Sequence, residues 1–317
     1  MTDKLVSMRE AVARLVPDGA RVACGLALEA AIPFAFAHEL IRQRRRDLHL
    51  IGPIADAIFD QLVGAGCVAV IEAAWVGNVT TGSGYCFRRA VEEGRPRPLS
   101  VRQHSNLTIS PALRAAASGV GYLPTRTALG SDVAGDHDGF QPVACPFTGQ
   151  PLLAVRAVCP DVAVVHVQRA DRRGNAQAWG NLGIAEEAIG AARAVIVVAE
   201  ELVGTAEVRS RPELTLVPGA LVSAVVHEPG GTHPAPLQGF HPHDAGAYRD
   251  YARASATEEG FQAWLDRWVL GVPDRAGYLK ALGGPGGSRA RPRPRHQGHH
   301  AEPSVGPPGQ RVDSRDG

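Results

Sequence analysis

The stretch that decides the fold is Cys67–Glu93, CVAVIEAAWVGNVTTGSGYCFRRAVEE. Its apolar run over Val68–Ala74 predicts a buried strand, and Tyr85–Glu93 has the periodicity of a helix. The segment between them is rich in glycine and in hydroxyl and amide side chains, which also suits an ordinary solvated connection. In open α/β sheets, however, ligands bind beyond the carboxyl ends of the strands, where this loop would lie. The stretch therefore predicts a parallel strand followed by one wall of a binding site.

The same alternation of strand and helix continues on both sides of this stretch. Before it, Arg21–Cys24 and Leu48–Ile51 predict strands, while Ile32–Arg44 and Ile54–Val63 predict helices. After it, further strands are expected at Leu99–Arg102, Leu153–Val158, Val162–Val167, Ala194–Ala199 and Leu221–Val226. Further helices are expected at Leu107–Ala117 (with Asn106 as N-cap), Ile184–Ala192, Ala247–Ala254, Phe261–Leu270 and Arg275–Leu282. This order predicts an α/β fold with an open, mostly parallel sheet and flanking helices.

Two segments lack this alternation. Gly119–Gly149 is poor in periodicity, and a loop of that length is usually functional or disordered. Its Gly130 and Ser131 are candidates for a second wall of the site. From Gly283 onward the chain is rich in Gly, Pro, Arg and His, a composition that cannot bury enough apolar surface to fold. We therefore predict one domain over residues 1–282 and a disordered tail over 283–317.

Composition excludes several classes of function. A formal net charge of +1 gives no bulk attraction to nucleic acid or to an anionic membrane. The N-terminus reads as an amphipathic helix rather than a signal peptide, and no apolar run approaches the roughly 18 residues of a membrane span. The 5 cysteines contain no CxxC pair, which argues against disulfides and a thiolate zinc site. These features predict a cytoplasmic protein.

Common cofactor motifs are also missing. No Gly-Lys-Ser/Thr follows the Gly77–Gly84 loop, so it is not a P-loop, and Gly25 does not begin a GxGxxG fingerprint. Four histidines in the Pro-rich loop after the last strand have neither helical i, i+4 spacing nor a paired carboxylate, so we expect no metal site there. They are His227, His233, His241 and His243.

Single reactive side chains have ordinary explanations. Glu72, near the end of its strand, has the chemistry of a nucleophile or base, but a carboxylate hydrogen-bonded to local backbone is commoner. Cys86 and Cys145 are expected to be buried small hydrophobes, and His166 to be a structural hydrogen-bonding residue within a strand. The residues alone thus give a strand-end pocket without a complete catalytic set.

Several segments resemble a known family. PDGARVACGLALEAAIP (Pro17–Pro33) has the spacing of the N-terminal signature of the α (A) subunit of family I CoA-transferases, glutaconate CoA-transferase type. Asp18, Gly19, Gly25 and Pro33 match that signature. Three positions depart from it, with other residues where Gly, Phe and Gly are usual: Leu26, Ala27 and Ala31. The segments VGNVTTGSGYCFRRAVEEG, GYLPTRTALGSD, CPFTGQPLL and PDVAVVHVQRADRRGN resemble this subunit in the same order.

The resemblance implies a fold of the CoA-transferase and ribose-5-phosphate isomerase superfamily and an αβ or α2β2 assembly with a β subunit. In this family a glutamate carboxylate of the β chain attacks an acyl-CoA thioester, and CoA then passes through a glutamyl-CoA thioester to a small carboxylic or dicarboxylic acid. The resemblance therefore implies no catalytic residue in this chain, no permanently bound cofactor and no metal, with coenzyme A arriving as acyl-CoA substrate.

The same resemblance implies which residues line the site. Asn78 and Ser83 would face the acyl group, Gly82 would let the backbone approach it, and Gly25 would lie in the signature turn. Gly130 and Ser131 would form the other wall. Asn106 lies near the place where a related branch, ring-opening hydrolases of steroid degradation, carries a glutamate, which favours a transferase. Two alternatives stay open: a subunit of such a CoA-thioester hydrolase, and a non-catalytic ligand-binding domain on the same scaffold.

Overall fold

A computed structural model of the chain describes residues 3–283. The strands are β1 (Arg21–Ala23), β2 (Leu48–Ile54), β3 (Val68–Trp75), β4 (Gly77–Asn78), β5 (Gly82–Ser83), β6 (Ser100–Gln103), β7 (Tyr122–Thr125), β8 (Phe140–Ala144), β9 (Pro151–Arg156), β10 (Val162–Ala170), β11 (Ala176–Gln177), β12 (Ala194–Leu202), β13 (Thr215–Val217) and β14 (Ala224–His227). The helices are α1 (Met8–Leu15), α2 (Phe34–Arg42), α3 (Asp56–Gly64), α4 (Tyr85–Glu92), α5 (Asn106–Ala117), α6 (Ala185–Ala191), α7 (Thr205–Ser210), α8 (Ala245–Ser255), α9 (Glu258–Leu265) and α10 (Arg275–Leu282). No helix within residues 3–283 is long and apolar enough to span a membrane.

The main sheet confirms the predicted open, mostly parallel α/β architecture. Seven parallel strands run in the order β14-β12-β10-β1-β2-β3-β6. Two short strands, β11 and β13, extend one end of β10 in antiparallel fashion. Because the order turns around β1, between β10 and β2, the loops after β1, β2 and β3 emerge at neighbouring points of the carboxyl edge. This is the edge where ligands of such sheets bind.

Each strand of the sheet buries both of its faces. Val22 and Leu50 pack on one side with α1–α4 and α8–α10, whereas Ala23 and Ile51 pack on the other side with α5 and α6. This two-sided burial explains why the strands read as continuous apolar runs rather than as alternating patterns. The C-terminal helices thus share a core with the loop-bearing half of the sheet.

The interpretation of Gly119–Gly149 as a structureless segment was wrong. It contains β7 and β8, which pair antiparallel with β9 in a separate three-stranded sheet, order β7-β9-β8. The strand predicted at Leu153–Val158 accordingly belongs to this small sheet and ends at Arg156. Most residues of β8 are exposed, so the strand carries too few apolar side chains to give an alternating pattern.

Two element ends also differ from expectation. Ser105, not Asn106, is the N-cap of α5, and its backbone N–H donates to Thr108 Oγ1 at 2.8 Å. The predicted helix Phe261–Leu270 is α-helical only to Leu265 and continues as a π turn over Asp266–Leu270. The disordered tail expected over 283–317 lies outside the described residues except for Gly283.

Candidate functional site

The loop after β3 is a closed hairpin. Gly77–Asn78 pairs antiparallel with Gly82–Ser83, and Thr81 N–H donates to Asn78 O at 3.0 Å. A side chain at Gly77 would meet Gly82 O at 2.4 Å, so only glycine lets the two arms approach this closely. Gly82 is exposed with φ +86°, and Val79 at the tip is 65% exposed. The hairpin therefore presents backbone and small side chains beyond the carboxyl end of the sheet.

The inner side of the hairpin is attached to α3. Asn78 is only 2% exposed; its Nδ2 donates to Asp56 Oδ2 at 3.2 Å, and its Oδ1 accepts from Thr80 N at 2.9 Å. Asp56 Oδ2 also accepts from Tyr248 OH of α8 at 3.1 Å. Both polar ends of the Asn78 side chain are therefore occupied inside the protein. The contact expected between this side chain and an acyl group stays a prediction.

A second aspartate, one helical turn later, supports the far end of the hairpin. Asp60 accepts from Phe87 N of α4 at 2.7 Å and from Tyr251 OH of α8 at 2.6 Å. Gly84 packs directly on this carboxylate, since an added Cβ would lie 2.2 Å from Asp60 Oδ1. We call Asp56, Asp60, Tyr248 and Tyr251 the aspartate–tyrosine brace. It fixes the hairpin between α3, α4 and α8.

Burial dominates the electrostatics of the brace. It raises the pKa of Asp56 to about 7, although hydrogen bonds from Ala57 N, Tyr248 and Asn78 pull that pKa down. Burial likewise raises the pKa of Asp60 and of both tyrosines. Buried carboxyls with strongly raised pKa values are common at functional sites but also occur in structural networks. All the polar contacts described for these two carboxyls point inward, so we assign them to positioning of the hairpin.

The loop after β1 lies at the same edge of the sheet. Gly25 is buried with φ +68°, as its place in the signature requires. Leu28 and Ala31 also adopt positive φ, 64° and 53°, which is costly for residues with a Cβ. Glu29 lies in this loop, and its charge contributes to the raised pKa of Asp56. Among the described residues, its buried Oε1 has no hydrogen-bond partner.

The other sequence-predicted site residues are dispersed. Ser83 is exposed in the hairpin, where its Oγ accepts from Trp75 Nε1 at 3.3 Å. Gly130 and Ser131 are exposed between β7 and β8, where Ser131 Oγ donates to Ala128 O at 2.9 Å. Asn106 is exposed at the start of α5. No hydrogen bond or ion pair of the described part of the chain joins the segment at 130–131 to the hairpin.

Glu72 and the two cysteines differ in part from expectation. Glu72 does not bond to local backbone: its Oε1 lies 3.2 Å from His104 Nε2 and its Oε2 lies 2.9 Å from His49 Nε2. Burial raises the pKa of Glu72, but the two imidazoles outweigh it and hold the pKa well below its usual range. Cys86 is buried as expected, whereas Cys145 is only half-buried, in the turn between β8 and β9. That turn is short and polar, so it offers no core to enclose a thiol.

The histidines have structural partners. His166 is buried with its Nε2 3.2 Å from Glu200 Oε2, which confirms its structural role. His233 lies between Tyr278 OH at 2.9 Å and Asp244 Oδ2 at 3.2 Å, and the ring of His243 stacks on Tyr248. Across residues 3–283, no group of three or more His, Cys, Asp or Glu is placed to hold a metal ion.

Sequence reasoning missed the aspartate–tyrosine brace. The available signal was a pair of aspartates four residues apart, Asp56 and Asp60, in a helix whose other residues are nearly all apolar. Charged residues on a fully buried helix need dedicated partners. The spacing of Tyr248 and Tyr251, three residues apart on another helix, supplies those partners but gives no sign of them in the sequence.

Comparison with known proteins supports the resemblance. Residues 5–228 match the model of the coenzyme A transferase family. The α (A) subunit of the 3-oxoadipate CoA-transferase of Pseudomonas knackmussii is 39% identical over 86% of this chain and 95% of its own length. The crystal structure of glutaconate coenzyme A-transferase from Acidaminococcus fermentans has a TM-score of 0.84 and 29% identity, covering 89% of this chain and 93% of that one. A cholesterol ring-cleaving hydrolase subunit of Mycobacterium tuberculosis is more distant, 27% identical over 91% of this chain and 100% of its own length.

Proposed function

Because this chain belongs to the coenzyme A transferase family, we propose that it is the α (A) subunit of a two-subunit CoA-transferase. Its reaction moves CoA from an acyl-CoA to a small carboxylic or dicarboxylic acid. The similarity to 3-oxoadipate and glutaconate CoA-transferase subunits supports a dicarboxylic acid as one of the two substrates. The β subunit is the partner, in an αβ or α2β2 assembly.

The proposed chemistry uses a glutamate of the β subunit. Its carboxylate attacks the thioester carbonyl, which releases CoA thiolate and leaves an acyl-glutamyl anhydride. The thiolate then attacks the glutamyl carbonyl, which releases the first acid and forms the glutamyl-CoA thioester. The acceptor carboxylate attacks this thioester, and the released thiolate takes the new acyl group from the second anhydride. The glutamate is regenerated, and no other reactant is consumed.

The observation that carries this proposal within the chain is the braced hairpin. Its exposed part contains Gly82 and Ser83 and no carboxylate, which suits a wall that binds an acyl group without attacking it. Because Ser83 Oγ accepts from Trp75, its own proton is free to be donated outward to an acyl oxygen. Gly82 has no side chain to keep a substrate away from the backbone. On this proposal Gly25 and the loop after β1 support the same edge, while Gly130, Ser131 and Asn106 reach the substrate only if the β subunit completes the pocket.

The test is reconstitution with the β subunit. We expect no CoA transfer by the purified chain alone and transfer after co-expression with the partner. Ser83→Ala should lower kcat/KM about 10- to 100-fold, because a donor to the developing oxyanion is lost. Thr80→Ala is the matched control, since Thr80 is exposed in the same hairpin and makes no side-chain hydrogen bond within the described residues. Full turnover by the isolated chain, or equal losses in the two variants, would contradict the proposal.

The two alternatives give different results in the same assay. The hydrolase alternative is supported by the 27% identical ring-cleaving relative and predicts consumption of a cyclic acyl-CoA with water alone. The ligand-binding alternative predicts binding of acyl-CoA but no turnover by the reconstituted pair. Strict dependence of the rate on an acceptor acid would separate the transferase from both.

A further inference from the structure

Charged side chains occupy one face of the main sheet, in the half that lies under the small sheet. Arg21 of β1 is directly opposite His49 of β2, and Glu72 of β3 is directly opposite Arg102 of β6. Central strands of parallel sheets usually carry apolar residues on both faces, because charges are costly to bury. Four adjacent strands that depart from this pattern at one place point to a ligand rather than to stability.

The charged face opens into a cavity of about 390 Å³ between the two sheets. Arg156 and Asp138 form its solvent-exposed rim, where they pair at 3.1 Å. The volume falls within the usual range of small-molecule sites. The lining is mainly polar, with three arginines and two histidines against the two carboxylates of Glu72 and Asp138.

The positive groups of this cavity are incompletely paired. Among the described residues, Arg102 makes no hydrogen bond or ion pair through its side chain. Arg21 approaches Glu72 only at 3.9 Å, and its buried Nε has no hydrogen-bond partner. Glu72 is already engaged by His49 and His104, so it cannot satisfy both guanidinium groups. Buried donors without acceptors are unfavourable, and an oxyanion between the two arginines would supply acceptors to both.

We propose that this cavity binds a small dianion through Arg21 and Arg102, with Arg156 at its mouth. Guanidinium groups bind carboxylate and phosphate oxygens in pairs of parallel hydrogen bonds, so the ligand is a phosphate, a phosphate ester or a short dicarboxylate. The Glu72–His49–His104 network holds the floor of the cavity and keeps a carboxylate away from the opening. The site is formed by the opposite side of β3 from α3 and does not include the hairpin.

The test is a binding titration with the full-length chain. Inorganic phosphate and succinate are the two probes, with sodium chloride at equal ionic strength as the reference. We expect one or both dianions to bind at a single site and to raise the thermal unfolding midpoint, while chloride does not. Binding of phosphate alone identifies a phosphate-type ligand, and binding of succinate alone identifies a dicarboxylate. Binding of neither overturns the proposal.

Two variants locate the site. Arg102→Gln should weaken binding at least tenfold, and Arg156→Gln, which changes only an exposed rim residue, provides a second variant that retains the fold. Arg88→Gln is the matched control, because Arg88 lies on α4, outside the cavity, and pairs with the exposed Glu92. Unchanged affinity in both cavity variants would place the dianion elsewhere and overturn the proposal. The experiment needs neither acyl-CoA nor the β subunit, so its failure would leave the proposed transferase function untouched.

Discussion

At the scale of single residues, Ala31 stands out because it adopts a backbone conformation that favours glycine. Its φ is 53°, and its N–H donates to Pro236 O at 3.0 Å, which fixes the turn. A left-handed conformation costs an alanine about 1–2 kcal/mol, while glycine loses about 0.5–1 kcal/mol of unfolded-state entropy. Ala31→Gly should therefore raise the free energy of unfolding by up to about 1 kcal/mol, measured by urea denaturation.

Ala30→Gly is the control for this prediction, because Ala30 is in the same loop and is not among the residues with positive φ. We expect Ala30→Gly to be neutral or destabilising. If the two substitutions changed stability equally, strain at position 31 would be refuted. The family signature marks Ala31 as a departure, but it does not indicate that the backbone keeps the glycine-like conformation with alanine in place.

Asp56 gives a residue-scale prediction about pH. Its pKa rises from 3.8 in the unfolded chain to about 7 in the fold because the carboxyl is buried. The folded state then binds more protons than the unfolded state between these values. The stability contributed by Asp56 is full below about pH 4 and is lost as pH rises to about 7, by up to about 4 kcal/mol.

Comparison with Asp56→Asn isolates this contribution. The difference in unfolding free energy between the wild type and this variant should fall as pH rises from 4 to 7 and be constant above that range. The exposed Asp250 on α8 provides the control, and Asp250→Asn should reproduce the wild-type profile. A pH-independent difference for Asp56→Asn would show that its charge is not buried as described.

At the scale of elements, the junction of α3, α4 and α8 is tightly packed around Gly84. The backbone of Gly84, φ −63° and ψ 132°, is accessible to alanine, so any cost of a side chain there is steric. An added methyl would overlap Asp60, so Gly84→Ala should destabilise the protein by about 1–3 kcal/mol and lower CoA transfer by displacing the hairpin. Thermal unfolding and kcat/KM of the reconstituted pair are the measurements.

Gly121→Ala is the matched control for Gly84→Ala, because nothing lies within 4 Å of a Cβ at Gly121 and its φ is not positive. We expect both properties to stay at wild-type values in this variant. A wild-type Gly84→Ala protein would mean that the hairpin does not depend on close packing against Asp60.

Sequence periodicity sufficed for elements that are buried on one side or both. β3 and α4 begin and end within one residue of their predicted bounds, because an apolar run and an amphipathic pattern define them. It failed for β7 and β8, which are short and largely exposed and owe their structure to pairing with β9. The hairpin was located from its glycines, but its closed form depends on Asp56 and Asp60, which are distant in sequence from Tyr248 and Tyr251.

At the scale of the whole molecule, the described fold closes with α10, whose last residue is Leu282. We predict that a chain ending at Gly283 keeps the wild-type thermal midpoint and, with the β subunit, wild-type CoA transfer. The reason is that the remaining sequence lacks the apolar periodicity needed to contribute to a core. Loss of stability or of partner binding after this truncation would assign a role to residues 284–317.

The aspartate–tyrosine brace also limits how this protein can be shortened or rebuilt. A chain cut after β14 would retain every strand of both sheets and would look complete by topology. It would nevertheless lose Tyr248 and Tyr251, and with them the hydroxyl donors that hold two carboxyls beneath the hairpin. Such a fragment would leave those carboxyls open to solvent and release the hairpin from one of its three supports. Grafting this loop onto another scaffold therefore requires transplanting a helix from the far end of the chain.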